Sequence, residues 1–115
     1  MKTCLIALFM MISISALNAG EVTGAGAVVD RVLQKSGISV SNLRARGLKV
    51  RRANNRVHLN DIHSIITNRN VVRYNNIGHV EFKNPSAAAT LGDVIHFELG
   101  RGTISKRQVQ AVITR

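Results

Sequence analysis

Between residues 27 and 36 the apolar positions recur at helical spacing: Val28 and Val32, and Val29 and Leu33, are each four apart and share one stripe. Asp30 lies in the first turn, Lys35 near the end, and Gly37 supplies a stop. The pattern predicts a short amphipathic helix over about 27–36. Beyond it the period changes to two. Ile38 and Val40 alternate, and Ser41-Asn42 suggests a turn. Leu48 and Val50 point one way while Lys49 and Arg51 point the other, and past Ala53-Asn54-Asn55 the residues Val57 and Leu59 alternate with Arg56 and His58. This predicts a β-hairpin with an Asn-rich turn.

The alternation then breaks at Asn60-Asp61-Ile62, and the same break returns at Asn75-Asn76-Ile77 and Arg107-Gln108-Val109. Each time an Asp, Asn or Gln precedes an aliphatic residue; the polar side chain suits a local backbone hydrogen bond while its neighbour fills the core. The breaks belong to a longer recurrence. Residues 48–67 (LKVRRANNRVHLNDIHSIIT) match residues 95–114 (IHFELGRGTISKRQVQAVIT) at a shift of 47 without a gap, and a partial copy occupies 72–82. In the second copy Ile95, Phe97 and Leu99 are expected inward and His96 and Glu98 outward, with Gly100-Arg101-Gly102 as the turn. Residues 83–90, KNPSAAAT, read as a loop or as one helical turn with Pro85 at its first position.

The resulting fold class is α+β, mainly β: one amphipathic helix, then about eight short strands in a small antiparallel β roll or partly closed barrel with an internal hairpin repeat. Closure would remove the edges that so many short apolar strands otherwise expose.

The first segment stands apart from this domain. Lys2, the apolar run 5–17 and Asn18-Ala19-Gly20 form the charged start, hydrophobic middle and small-residue exit of a secretory signal peptide. The run is shorter than the roughly 20 residues that a membrane-crossing helix needs. Residues 1–19 are therefore expected to be removed, leaving one small β-rich domain over 20–115. Cys4 is the only cysteine and leaves with the signal, so disulfide, thiol and thiolate-metal chemistry are excluded from the mature chain. The absence of cysteine and of any glycosylation sequon leans towards a bacterial periplasmic or secreted protein.

Charge narrows the partners. Of 16 Lys and Arg only Lys2 is lost, and against six acids the mature domain carries +9. Such a field draws in polyanions. The densest run is Arg44, Arg46, Lys49, Arg51, Arg52 and Arg56, with no acid among them; His58 and Arg73 extend it. These eight residues are the predicted anion-binding set. At the positions of Arg51, Arg52 and Arg56 the second copy has Glu98, Leu99 and Thr103, so the basic decoration belongs to one copy only.

Other chemistry is thin. Tyr74, Phe82 and Phe97 are the only aromatics after residue 19, too few for a single-strand stacking platform, and no basic helix suits a major groove, which argues against sequence-specific nucleic-acid binding. His79-Val80-Glu81 and His96-Phe97-Glu98 each put an imidazole and a carboxylate on one face of a strand, the one acid–base pattern in the chain. His58, His63, His79 and His96 have no metal-ligand spacing along the chain, and there is no cofactor or nucleophile motif; Gly24-Ala25-Gly26 lacks the strand and third glycine of a dinucleotide site. Leu91-Gly92-Asp93-Val94-Ile95 and the hairpin after it resemble the end of periplasmic flagellar ring-assembly chaperones, over less than a quarter of the chain, and no residue role is carried across.

The reading that results is an exported, basic, non-enzymatic binding or envelope-structural domain that contacts an anionic polymer, membrane surface or acidic partner. The alternatives are a small nuclease-like hydrolase using a His/Glu pair, and an interaction module that pairs, or forms oligomers, through sheet edges.

Overall fold

The computed structural model describes residues 22–87 and 89–115; the expected signal peptide, 1–19, lies outside the described residues. The predicted helix forms as α1 (Ala27–Lys35), with Val29, Val32 and Leu33 buried and Val28 left exposed. A second helix follows where the sequence suggested a strand and a turn: α2 (Val40–Ala45). Ser39 is its cap, accepting the Asn42 N–H at 3.4 Å, and Ile38 and Leu43 sit in the positions of a hydrophobic staple within one apolar cluster. The cap reading of Ser39 overrides the local alternation.

Seven strands then form two antiparallel sheets. The first has the order β1 (Lys49–Arg52), β7 (Ala111–Thr114), β2 (Ile62–Ile66), β3 (Val71–Arg73). The second runs β4 (His79–Phe82), β5 (Val94–Leu99), β6 (Gly102–Ser105). The sheets do not close into a barrel. β1 and β3 remain edges of the first and β4 and β6 edges of the second.

The expected hairpin over 48–59 does not form. β1 pairs with β7 in the register Lys49–Thr114, Val50–Ile113, Arg51–Val112 and Arg52–Ala111, while the chain after it is taken up elsewhere. Leu91 N–H donates to Val57 C=O at 2.8 Å, Leu59 N–H to Ala89 C=O at 3.1 Å and Gly92 N–H to Asn55 C=O at 3.1 Å. Segment 55–59 is thus hydrogen-bonded to the approach to the second sheet. Burying Val57 and Leu59 in the core between the sheets favours that pairing over a local turn.

Short 3₁₀ turns, Leu59–Asp61, Tyr74–Asn76 and Lys106–Gln108, occupy the three predicted breaks, and a fourth, Leu91–Asp93, precedes β5. Each delivers an aliphatic residue, Ile62, Ile77, Val109 or Val94, to the same core. The side-chain hydrogen bond expected at these breaks forms at Gln108, whose Oε1 accepts the Ser105 N–H at 2.8 Å. Asp93 does the same in the fourth turn, accepting the N–H groups of Ala89 and Thr90 at 3.0 Å, which holds its carboxyl below the usual range. At Asp61 and Asn76 the backbone closes the turn. Residues Pro85–Ala87 form the helical turn that Pro85 allows at its first position.

Two apolar clusters result, one on each face of the first sheet. Ile65 and Val112 meet Val94, Phe97 and Ile104 of the second sheet. Ile66, Ala111 and Ile113 meet Val29, Val32, Leu33 and Leu43 of the helices. The outward expectation for His96 and Glu98 and the inward one for Phe97 are met, but Ile95 is 46% exposed. A register shift between Glu81 and Phe82 sets Val94 opposite Phe82, so Val94 takes the core position and Ile95 is displaced. Among the described residues no helix is long and apolar enough to cross a membrane.

Candidate functional site

Strand order decides which cations meet. β1 begins, β7 ends, β2 begins and β3 ends at the same end of the first sheet, because neighbouring strands run in opposite directions. Arg46 precedes β1, Arg115 follows β7, His63 is the second residue of β2 and Arg73 closes β3. Four residues scattered over seventy positions of sequence are thereby brought to one edge of the molecule.

A cleft of about 230 Å³ lies there, lined by Leu59, Asn60, Ile62, His63, Arg73, Tyr74, Asn75 and Arg115. Its cations are held to different degrees. Arg115 is fixed by two hydrogen bonds: its N–H donates to Asp61 C=O at 3.0 Å, and its Nη1 donates to Asn60 C=O at 3.1 Å. Arg73 is directly opposite Ser64 in the ladder and is exposed. The Tyr74 ring stands edge-on to Phe97 with centroids 6.4 Å apart, and burial pushes its phenol above the ordinary range, so it keeps its proton as a donor.

His63 is the residue on which these charges register. It sits at the bulge between Ile62 and Ser64, partly buried, with Nδ1 2.9 Å from the buried Ser64 hydroxyl. Burial lowers its pKa from the ordinary imidazole value, and Arg73, Arg46 and Arg115 lower it further, in that order. Among the described residues no Asp or Glu lines the cleft. Among the described residues the salt bridges are His79–Glu81 and His96–Glu98, and no arginine or lysine of this end is in one. The arrangement can hold an oxyanion between guanidinium forks, with the Tyr74 hydroxyl and the amides of Asn60 and Asn75 as further donors.

The predicted anion-binding set is divided by this geometry. Arg46 and Arg73 join the cleft end, and Lys49, paired with Thr114, is the strand residue nearest to it. Arg51 and Arg52 lie further along β1, about 7 and 10 Å on at strand spacing. They point to opposite faces, and the Arg52 Nε donates to the Gly24 C=O at 3.0 Å. Arg44 is exposed on α2, and Arg56 and His58 belong to the segment carried to the second sheet, with His58 bridged to Thr90. His63 and Arg115 were missed. Their signal was position at strand termini, which identifies a shared end only once strand order is known.

The second polar constellation is on the three-stranded sheet. Both His-x-Glu pairs meet there: His79 is opposite Glu98 and Glu81 opposite His96, with Nε2–Oε2 distances of 3.1 Å within each strand. All four face away from the core.

No family model matches the chain, and comparison with curated proteins and with solved structures gives no match either.

Proposed function

We propose that this chain is an exported, non-enzymatic binding domain that holds phosphate or carboxylate groups of an anionic polymer or surface in the cleft at the end of the four-stranded sheet. One observation carries the reading: Arg46, Arg73, Arg115 and His63 converge from four chain segments without an Asp or Glu side chain among the described residues lining the cleft. Such an end is electrostatically incomplete by itself, and a bound oxyanion would relieve the repulsion. The surplus of +9 over the chain beyond residue 19 adds long-range attraction for a polyanion. Export rests on the signal-like residues 1–19.

Two triple variants test the site. Arg46→Glu/Arg73→Glu/Arg115→Glu is expected to weaken heparin binding at low salt by about 100-fold or more and to reduce the slope of log K against log salt by about three. Lys49→Glu/Arg51→Glu/Arg56→Glu removes the same number of cations from the sequence-defined face and should lose only the general electrostatic share. Equal losses in both variants would leave a diffuse basic surface and no cleft site.

A further inference from the structure

The outer face of the three-stranded sheet carries a second polar constellation, separate from the cationic cleft. β4 and β5 pair in a register that puts His79 directly across from Glu98 and Glu81 directly across from His96. Cross-strand partners share a face, as do residues two apart on one strand. The four side chains therefore form a square in which imidazole and carboxylate alternate at the corners. His79 Nε2 is 3.1 Å from Glu81 Oε2, and His96 Nε2 is 3.1 Å from Glu98 Oε2. One ligand atom each from His79, Glu81 and Glu98 already falls within a 4.8 Å span. Donor atoms around a tetrahedral zinc ion are about 3.3 Å apart, from metal–ligand bonds of about 2.0–2.2 Å. The side chains are 59%, 48%, 30% and 43% exposed for His79, Glu81, His96 and Glu98, so small rotations are free to close the remaining gap.

Two further features point the same way. The chain has far more arginine and lysine than acid, yet Glu81 and Glu98 are matched with imidazoles and not with any of those cations. An imidazole–carboxylate contact on an open surface adds little stability once the histidine is neutral, whereas neutral imidazole and carboxylate together are transition-metal donors. The ladder is also irregular beside the square, where the register shifts next to Glu81 and His96, and the residues of β6 that flank it on this face, Thr103 and Ser105, bring hydroxyls and no competing charge.

We propose that His79, Glu81, His96 and Glu98 form a binding site for a divalent transition metal of the zinc type, clamping β4 to β5. Two nitrogen and two oxygen donors complete a four-coordinate shell. Imidazole in the set favours zinc over magnesium or calcium.

The test uses the full chain without a histidine tag and with Cys4→Ser as parent, titrated with zinc chloride by calorimetry near neutral pH and followed by thermal unfolding. One zinc per chain and a raised melting temperature are expected, with magnesium giving neither. His79→Ala/His96→Ala and Glu81→Gln/Glu98→Gln should each weaken binding by at least about tenfold, while His58→Ala/His63→Ala, which leaves the square intact, should not. Circular dichroism of the glutamine variant, which keeps side-chain shape, separates ligand loss from misfolding. Absence of saturable zinc binding by the parent, or binding by the His79/His96 variant within twofold of the parent, overturns the proposal.

Discussion

The four-stranded sheet has helices on one face and the second sheet on the other, whereas the three-stranded sheet leaves its outer face to solvent. Their strands reflect this. β7 is buried at every position and β2 at all but His63, while β4 alternates exposed and half-buried. A sheet covered on both faces has no surface on which to mount polar groups, so its chemistry is displaced to the strand ends, where residues from different segments meet. A sheet open on one face carries its polar groups along the strands at period two. The first arrangement here collects cations only; the second mixes imidazole and carboxylate. On the readings proposed above, one would take an anion and the other a cation.

The joint between the two sheets offers the largest test of that contrast. A Cβ on Gly92 would lie 2.8 Å from the Asn55 Cβ and 3.0 Å from the Asn55 carbonyl oxygen, and backbone cannot step aside as a side chain would. Gly92→Ala is expected to cost about 2 kcal/mol by chemical denaturation. Hydrogen exchange should show the loss of protection concentrated in β4–β6, because the first sheet keeps its helical cover. Uniform loss across both sheets would mean that they unfold as one unit.

A smaller effect is expected inside the covered sheet. The Thr114 hydroxyl is buried and has no hydrogen-bond partner, while the aligned Thr67 is fully engaged, donating to the Asn70 side chain at 2.9 Å and accepting the N–H groups of Arg69 and Asn70 at 3.1 Å. Thr114→Val should raise stability by about 1 kcal/mol, since it removes an unsatisfied buried polar group at nearly constant volume. Thr103→Val, on the open face of the other sheet, should change it by less than about 0.5 kcal/mol. If the two substitutions behave alike, burial does not separate the sheets in the way described.

The smallest effect is a pH dependence. His63 has a folded-state pKa below its unfolded value, so its contribution to stability is fully present above about pH 6.5 and is lost as pH falls towards the folded pKa. An anion in the cleft offsets the arginines that depress it, and linkage then requires tighter anion binding as pH falls through the same window. A several-fold gain in heparin affinity on acidification, absent in His63→Asn, is the expected result. A gain that survives in the variant would place the responsive group elsewhere.

Much of the local structure was legible. The four-residue spacing of Val29 and Leu33 located α1, and the recurring polar-then-aliphatic breaks located three of the turns that feed the core. The His-x-Glu pairs were legible too, since two residues on one strand share a face whatever the sheet does. Where the alternation misled, another contact had prevailed, local at Ser39 and longer-range elsewhere. Ser39 was needed as a helix cap, residues 55–59 hydrogen-bonded to 89–92 in place of folding back on β1, and a one-residue bulge moved Val94 inward and Ile95 out.

Sequence by itself thus determined the mainly β α+β composition, the excess of positive charge and the short-range pairs of one strand, because each depends on residues within a few positions of one another. Only the tertiary structure decided that the sheets stay open and that two His-x-Glu pairs form one square. It alone brought Arg46, His63, Arg73 and Arg115 to one end. Those outcomes depend on strand order and register, which are fixed by burial of the two apolar clusters on either side of the first sheet and are not encoded in any local window of the chain.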